Sequence, residues 1–270
     1  DREGSSTLTE SFHWSMNQER IPKELSPTTE ALVEIQNLVR NHFGWSESDD
    51  IASAKELLIR IEESPIQKWT RKNRLTSLSR IRRSLVTKKP KIAVLGAAIE
   101  PHEVVRALER SETLVAADGA SGVLSELPST LSERAWSSMA CIVSDADGGE
   151  GTIQAVKRSV PIVLHAHGDN RENWKSLIEI AERQKTPPDL ILTHQTSCEI
   201  EGMHNPGGFT DGDRAACFLT ALGVRTSNIS ILGTRSDKVG RWSGETLEHQ
   251  KIEKLSWMKK SLTIMQLWQD

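Results

Sequence analysis

Tyrosine is absent from this chain of 270 residues, and cysteine occurs only three times. No phenol can therefore take part in any site. Cys141, Cys198 and Cys217 are scattered, odd in number and form no C-x-x-C pair, which argues against a zinc knuckle or a disulfide framework. Cys141 and Cys217 sit in apolar runs and read as core packing. No apolar run approaches the roughly 20 residues that a membrane helix needs, and the first residues lack the apolar centre of a signal peptide. A cytoplasmic protein without a membrane partner is expected. Nor is one sign of charge in excess. Lys and Arg total 34 against 37 Asp and Glu, a net charge of -3, which gives no electrostatic reason to expect nucleic acid. The apolar content of 37% is enough for a packed core.

Residues 1–25 are polar without a sustained period and read as a flexible lead-in. Helical spacing follows. Leu32, Ile35, Leu38, Val39 and Phe43 share one face, with Gly44 as the stop. Ile51, Ala54, Leu58 and Ile61 mark a second helix, begun near Ser48 and ended by Ser64-Pro65. A third runs from Trp69 through Leu75, Leu78, Ile81 and Leu85. Residues 26–88 are thus expected to form a small helical N-terminal unit. Its last helix is basic, from Lys68, Arg71, Lys72 and Arg74 to Arg80, Arg82 and Arg83. Without interleaved aromatics this reads as a solvated face, balanced by the acidic clusters at 47–50 and 62–63, rather than an anion patch.

From residue 89 the texture changes, and 89–270 reads as an α/β catalytic domain. Candidate strands at 92–95, 113–117, 141–144, 161–165, 190–193 and 229–232 alternate with helical patterns at about 101–110, 151–158, 171–184, 212–222 and 246–260. Strands rich in Val, Ile and Leu, alternating with helices, predict a mostly parallel, Rossmann-like three-layer sheet. In such a sheet every strand ends on one rim, where ligands bind.

The rim is what gives the chain its chemistry. The third strand runs into Asp145-Ala146-Asp147-Gly148-Gly149. Alternate residues at a strand end point the same way, so Asp145 and Asp147 can share a hard cation such as Mg²⁺. The fourth strand enters His165-Ala166-His167-Gly168-Asp169-Asn170. Asp169 is expected to join the two aspartates at the cation, and His167 to contact phosphate. His165, His167 and His194 could instead hold zinc, but carboxylates outnumber imidazoles here and oxygen ligands suit Mg²⁺. Asp118-Gly119, after the second strand, can reach a ribose or a polar ring, or simply turn the chain. Gly96, after the first, is a turn signal without the full dinucleotide fingerprint. Pro206-Gly207-Gly208-Phe209-Thr210-Asp211-Gly212-Asp213-Arg214 opens a helix. Thr210 and Asp213 fit a capping box, the paired glycines an anion-accessible loop, and Arg214 a phosphate clamp. Asp145, Asp147, Asp169 and Arg214 are the catalytic candidates. Gly96, Asp118, Gly119, His167, Asn170, Thr210, Asp211, Gly212 and Asp213 are the nucleotide-binding ones. The lysines of the last helix, Lys251, Lys254, Lys259 and Lys260, read as a solvated face, the alternative being that one of them reaches over the site to a polyphosphate.

The strings Asp118-Gly119-Ala120, Ser144–Gly148, His165–Asn170 and Gly208–Ala215, in that order, resemble the archaeal-type 6-hydroxymethyl-7,8-dihydropterin pyrophosphokinases. That group is similar, more distantly, to the catalytic domain of thiamine pyrophosphokinase. The resemblance runs from about Ile35 to near the C-terminus. It implies Mg²⁺-dependent transfer of the β,γ-diphosphoryl group of ATP to the hydroxymethyl oxygen of a pterin alcohol, with release of AMP, in pterin cofactor biosynthesis. Asp211 is then a candidate for the base that takes the hydroxyl proton. Two stretches depart from the family: Gly96-Ala97-Ala98-Ile99-Glu100, where a Gly-x-Gly-Pro-Ser-like turn is usual, and Thr234-Arg235-Ser236, where Met-Asp-Phe is usual. Both departures bear on the acceptor pocket. A thiamine-type kinase, a metal-dependent hydrolase and a non-catalytic nucleotide-binding module are the alternatives. A homodimer is left open.

Overall fold

A computed structural model describes residues 24–244 and 247–268, so the expected lead-in lies outside the described residues except for Glu24 and Leu25. Helix α1 spans Ala31–Phe43 and stops at Gly44, whose φ of 69° is the left-handed conformation that glycine adopts without strain. Helix α2 spans Glu47–Glu62, with the Ser46 hydroxyl accepting from the Ser48 amide at 3.2 Å. Helix α3 spans Arg71–Arg82. Its basic side chains are paired largely as a balanced face, though not with every acid the sequence suggests. Arg74 meets Glu62, while Arg80 and Lys68 meet Asp189 and Arg71 meets Glu201. Glu47 and Asp50 pair with Arg40 of α1 instead.

The strands are β1 (Ile92–Leu95), β2 (Thr113–Ala117), β3 (Met139–Ser144), β4 (Ile162–Ala166), β5 (Leu190–His194) and β6 (Ile229–Leu232). They form one parallel sheet in the order β5-β4-β3-β2-β1-β6. Helices α4 (Pro101–Glu109), α5 (Ser129–Ser138), α6 (Gly149–Lys157), α7 (Arg171–Glu182), α8 (Asp211–Ala221) and α9 (Glu248–Ile264) complete the three layers. The α/β expectation holds, and the strand bounds differ by at most two residues. Two longer elements lack a counterpart in the sequence reading: α5 and the 3₁₀ stretch Asp118–Glu126. Both are still short, α5 rich in Ser and the 3₁₀ stretch in Ser and Gly, so neither carries a sustained hydrophobic period.

Side-chain alternation along β1 sorts the core into two layers. Ala93 and Leu95 face one cluster with α2, α4, α6 and α7; Ile92 and Val94 face the other with α3, α8 and α9. The N-terminal helices are built into both. Ala54, Leu57 and Ile61 of α2 join the first cluster, while Leu32 of α1 and Leu78 and Ile81 of α3 join the second. They clasp the β5 end of the sheet, with Trp69 Nε1 donating to the Pro188 carbonyl at 2.8 Å. Cys141 and Cys217 are buried in the core. Among the described residues, no helix is long and apolar enough to cross a membrane.

Candidate active site

The loops leaving β2 and β3 meet through hydroxyl groups. Ser144, the last residue of β3, donates its Oγ to Asp118 Oδ1 and accepts the Ala146 amide at 2.9 Å. Thr152 Oγ1 also donates to Asp118 Oδ1, at 3.0 Å. The chain then turns through Ala146 at φ 75°. Asp145 and Asp147 thus lie beyond the strand, and a left-handed turn brings their carboxylates together rather than strand alternation. A non-glycine residue held there costs on the order of 1–2 kcal/mol, which the surrounding hydrogen bonds sustain. Asp118 is left-handed as well, at φ 45°. Gly148 is required by contact: a Cβ there would stand 2.4 Å from Asp118 Oδ2 and 2.2 Å from the Gly119 nitrogen.

Asp118, Asp145 and Asp147 each place one oxygen so that all three lie within 4.8 Å of one another. Asp169 is not in this trio. Its exposed carboxylate meets His167 Nδ1 at 2.6 Å, so it reaches the cluster only through the imidazole. The expected set of Asp145, Asp147 and Asp169 therefore differs from the gathered one by one residue. Asp118 enters because the Asp-Gly turn after β2 abuts the β3 exit, a neighbourhood that strand order decides.

Like charges this close cannot all ionise freely. Burial, reinforced by Asp211 and Asp145, pushes the Asp118 carboxyl well up; burial and Asp145 raise Asp147 as well. Asp145 goes the other way. Burial alone would raise it, but His167 and Arg214 hold it well below the usual carboxylate range. His167 Nε2 stands 3.2 Å from Asp145 Oδ2. Burial opposes the imidazolium, yet the two flanking carboxylates, Asp145 and Asp169, lift it to about 9. Asp211 is raised to about 7 by burial and by the charge of Asp145, against the pull of Arg214.

Arg214, on the first turn of α8, is the buried counter-charge. Its Nη1 stands 3.4 Å from Asp145 Oδ2 and 3.3 Å from Asp211 Oδ1, and its Nη2 donates to Gln195 Oε1 at 3.0 Å. Among the described residues, two buried polar atoms in this constellation have no partner: Asp145 Oδ1 and Arg214 Nε. A buried carboxylate oxygen left unpaired beside two further carboxylates is what a hard cation would complete. The donor set of three carboxylates fits Mg²⁺ and does not resemble a zinc site. Of the three imidazoles considered for zinc, two are engaged elsewhere, His165 with Thr193 Oγ1 and Gln195 Oε1 and His194 with Thr196, and His167 is taken up by Asp145 and Asp169.

Other predicted residues hold the site's walls. The Asn170 carboxamide accepts the His167 amide at 3.0 Å and donates to the carbonyls of Asp145 and His165 at 2.9 and 2.7 Å, so it is fully used as a loop clamp. Asp213 accepts from the Phe209 and Thr210 amides and the Thr210 hydroxyl, at 2.7–2.8 Å, making the predicted capping box. Gly207 and Gly208 have φ of 90° and 84°. Added Cβ atoms would stand 2.7 Å from Leu32 and 2.8 Å from the Arg214 nitrogen, so packing against α1 and α8 explains the glycine pair. Gly212 has no such neighbour inside 3.5 Å. Gly119 lies under Trp242, whose carbonyl an added Cβ would meet at 2.5 Å.

Gly96 stands where β1 gives way to the loop after β6. Its amide donates to the Leu232 carbonyl at 2.8 Å, and a Cβ there would strike Gly233 and Thr234. The two departures from the family pattern are thus one place in space. It is also the topological switch of the sheet, between β1 and β6. A small cleft there is lined by Gly96, Asp118, Asp147, Asp211, Thr234 and Lys238. A larger cavity of about 650 Å³ lies toward the N-terminal helices, lined by Trp45, Asp145, His167, Phe209, Arg214 and Lys254. Asp147, Thr210, Asp211, Gly244 and Lys251 border both. Lys251 and Lys254 therefore face the site, three residues apart on one side of α9. Lys259 and Lys260 instead lie over the Trp268 and Trp257 rings. Arg40, Asp50 and the carboxamide of Gln195, all buried, carry no role in the sequence reading, although Gln195 ends the fifth strand at the rim.

No family model and no solved structure matches the chain. Curated relatives do. The chain is 32% identical over 172 residues to 6-hydroxymethyl-7,8-dihydropterin pyrophosphokinase of Pyrococcus furiosus, covering 63% of this chain and 67% of the relative. To the proteins of the same name from Methanothermobacter thermautotrophicus and Methanocaldococcus jannaschii it is 36% identical over 123 residues and 37% over 79. It spans 45% and 32% of those two relatives. With this similarity added to the acidic rim, the chain belongs to the 6-hydroxymethyl-7,8-dihydropterin pyrophosphokinase family.

Proposed function

We propose that this protein transfers the β,γ-diphosphoryl group of ATP to the hydroxymethyl oxygen of 6-hydroxymethyl-7,8-dihydropterin and releases AMP. The observation that carries the reading is the unpartnered Asp145 Oδ1 beside Asp118 and Asp147, with Arg214 behind them. Asp118, Asp145 and Asp147 would hold Mg²⁺. When bound, the cation offsets polyphosphate charge and aligns the β-phosphate.

The chain's own residues do the rest by positioning and electrostatics, as is general in phosphoryl transfer. The acceptor oxygen forms a bond to the β-phosphorus; the bond from that phosphorus to the bridging oxygen breaks, and this oxygen leaves with AMP. The hydroxyl proton needs a base. Asp211 suits the role because its raised proton affinity, about 7, matches neutral operating conditions. His167, charged between two carboxylates, holds Asp145 ionised and offers no free nitrogen for base chemistry. Lys251, bordering both cavities, is placed to accompany the polyphosphate from one to the other. Asp145→Asn should lower turnover by at least about 100-fold, since it removes a charge the reaction needs at the transition state, and should leave the far-ultraviolet circular dichroism unchanged. Retained turnover in that variant would refute the assignment.

A further inference from the structure

We propose that Gln195 is a positioning residue: held by Asp50 and Arg40 of the N-terminal helices, its carboxamide keeps Arg214 from closing on Asp145, leaving Asp145 Oδ1 free for the cation. The proposal rests on the cation site argued above, though not on which acceptor is used.

The geometry fixes the amide without ambiguity. Gln195 Nε2 donates to Asp50 Oδ2 at 3.0 Å, and its Oε1 accepts from Arg214 Nη2 at 3.0 Å and faces His165 Nε2 at 3.3 Å. A carboxylate only accepts and a guanidinium only donates, so the reversed amide would set donor against donor. Asp50 is held in turn. Its Oδ1 accepts the Gly168 amide at 2.8 Å, and its Oδ2 meets Arg40 Nη1 at 3.3 Å. Arg40 Nη1 also donates to the Gln195 carbonyl at 2.6 Å. Arg40, Asp50, Gln195 and Arg214 are each at most 4% exposed.

What this arrangement prevents matters most. Arginine and carboxylate prefer a two-pronged pair, with two nitrogens on two oxygens. Here Arg214 makes only one contact with Asp145, through Nη1 to Oδ2, because Nη2 is engaged by Gln195. Asp145 Oδ1 consequently has no partner among the described residues. Released from Gln195, the guanidinium can rotate onto both oxygens and compete with the cation for Asp145.

Three variants test this, with Mn²⁺ affinity measured by titration calorimetry on the full chain and ATP turnover measured in parallel. Gln195→Met removes both amide bonds. Asp50→Asn must set its new amide donor against either Gln195 Nε2 and Arg40 or the Gly168 amide, so it loosens the hold on Gln195 in both orientations and should act alike although Asp50 does not contact Arg214. Each is expected to weaken Mn²⁺ binding about tenfold, equivalent to about 1.4 kcal/mol. The double change D50N/Q195E exchanges donor and acceptor and keeps a hydrogen bond at each end; it should recover most of the affinity. A residue that merely filled space would not show that rescue. Wild-type affinity in Gln195→Met, or no recovery in the double variant, overturns the proposal. Should Gln195→Met fail to fold, Asp50→Asn and its rescue decide the matter. A wild type that binds Mn²⁺ but yields no AMP would count against the proposed reaction and leave this test intact.

Discussion

Ala146 and Gly148 show how much of the site depends on single backbone positions. Ala146 at φ 75° turns two aspartates toward each other, and Gly148 leaves room for Asp118 to join them. Gly148→Ala should therefore reduce turnover by about 100-fold or more, as displacements near 1 Å do at such sites. A steady-state assay with a thermal melt checks this; full activity in a well-folded variant would contradict it. At this scale the sequence is informative where chemistry is local. The D-x-D spacing and the capping box from Thr210 to Asp213 are visible in consecutive residues. Asp118 as third carboxylate, and the Asp50–Gln195–Arg214 link, are not. They join residues up to 145 positions apart and exist only once strand order is known.

The titrating element is β5 with the bridge it makes to His204. His194 and His204 are buried, and burial lowers both imidazoles to about 4 from the ordinary 6.5. Between those values the unfolded chain holds more protons than the folded one, so their contribution to stability falls as pH drops from 6.5 to 4. Each fully differing proton is worth about 1.4 kcal/mol per pH unit. Carboxylates titrate in the same range, so the comparison must be with His194→Gln/His204→Gln. Urea unfolding at pH 7 and pH 5 should show a smaller acid loss in the double variant than in the wild type; equal losses would contradict it. Helix α9 gives a second prediction. Lys251→Ala should raise the KM for ATP about tenfold, the cost of one charge-assisted contact, while Lys260→Ala, over the Trp257 ring, should not. The apolar period of a helix shows which face is buried. It does not show which lysines meet a cavity that another element completes.

The arrangement of whole layers accounts for the rest. Six strand positions and most helices follow from hydrophobic period and turn residues, so the α/β class is readable from sequence. Where the N-terminal helices sit is not, because nothing in their periods says that α2 and α3 take opposite faces of one sheet. Their apolar residues lie in the same two clusters as the strands. A chain beginning at Pro90 should therefore expose core surface and lose fixed packing. Near-ultraviolet circular dichroism and dye binding should show this; a native-like spectrum would mean that the α/β layers are self-sufficient. Arg40 and Asp50 extend the same dependence to the site, since the helices that complete the core also hold Gln195.

The central claim is that the acidic rim moves two phosphates together. Supplying ATP labelled at the β-phosphorus, with Mg²⁺ and the reduced pterin alcohol, tests it directly. The label is expected to travel to the pterin product while unlabelled AMP is released. Label retained in ADP, or in unconsumed ATP, would contradict it.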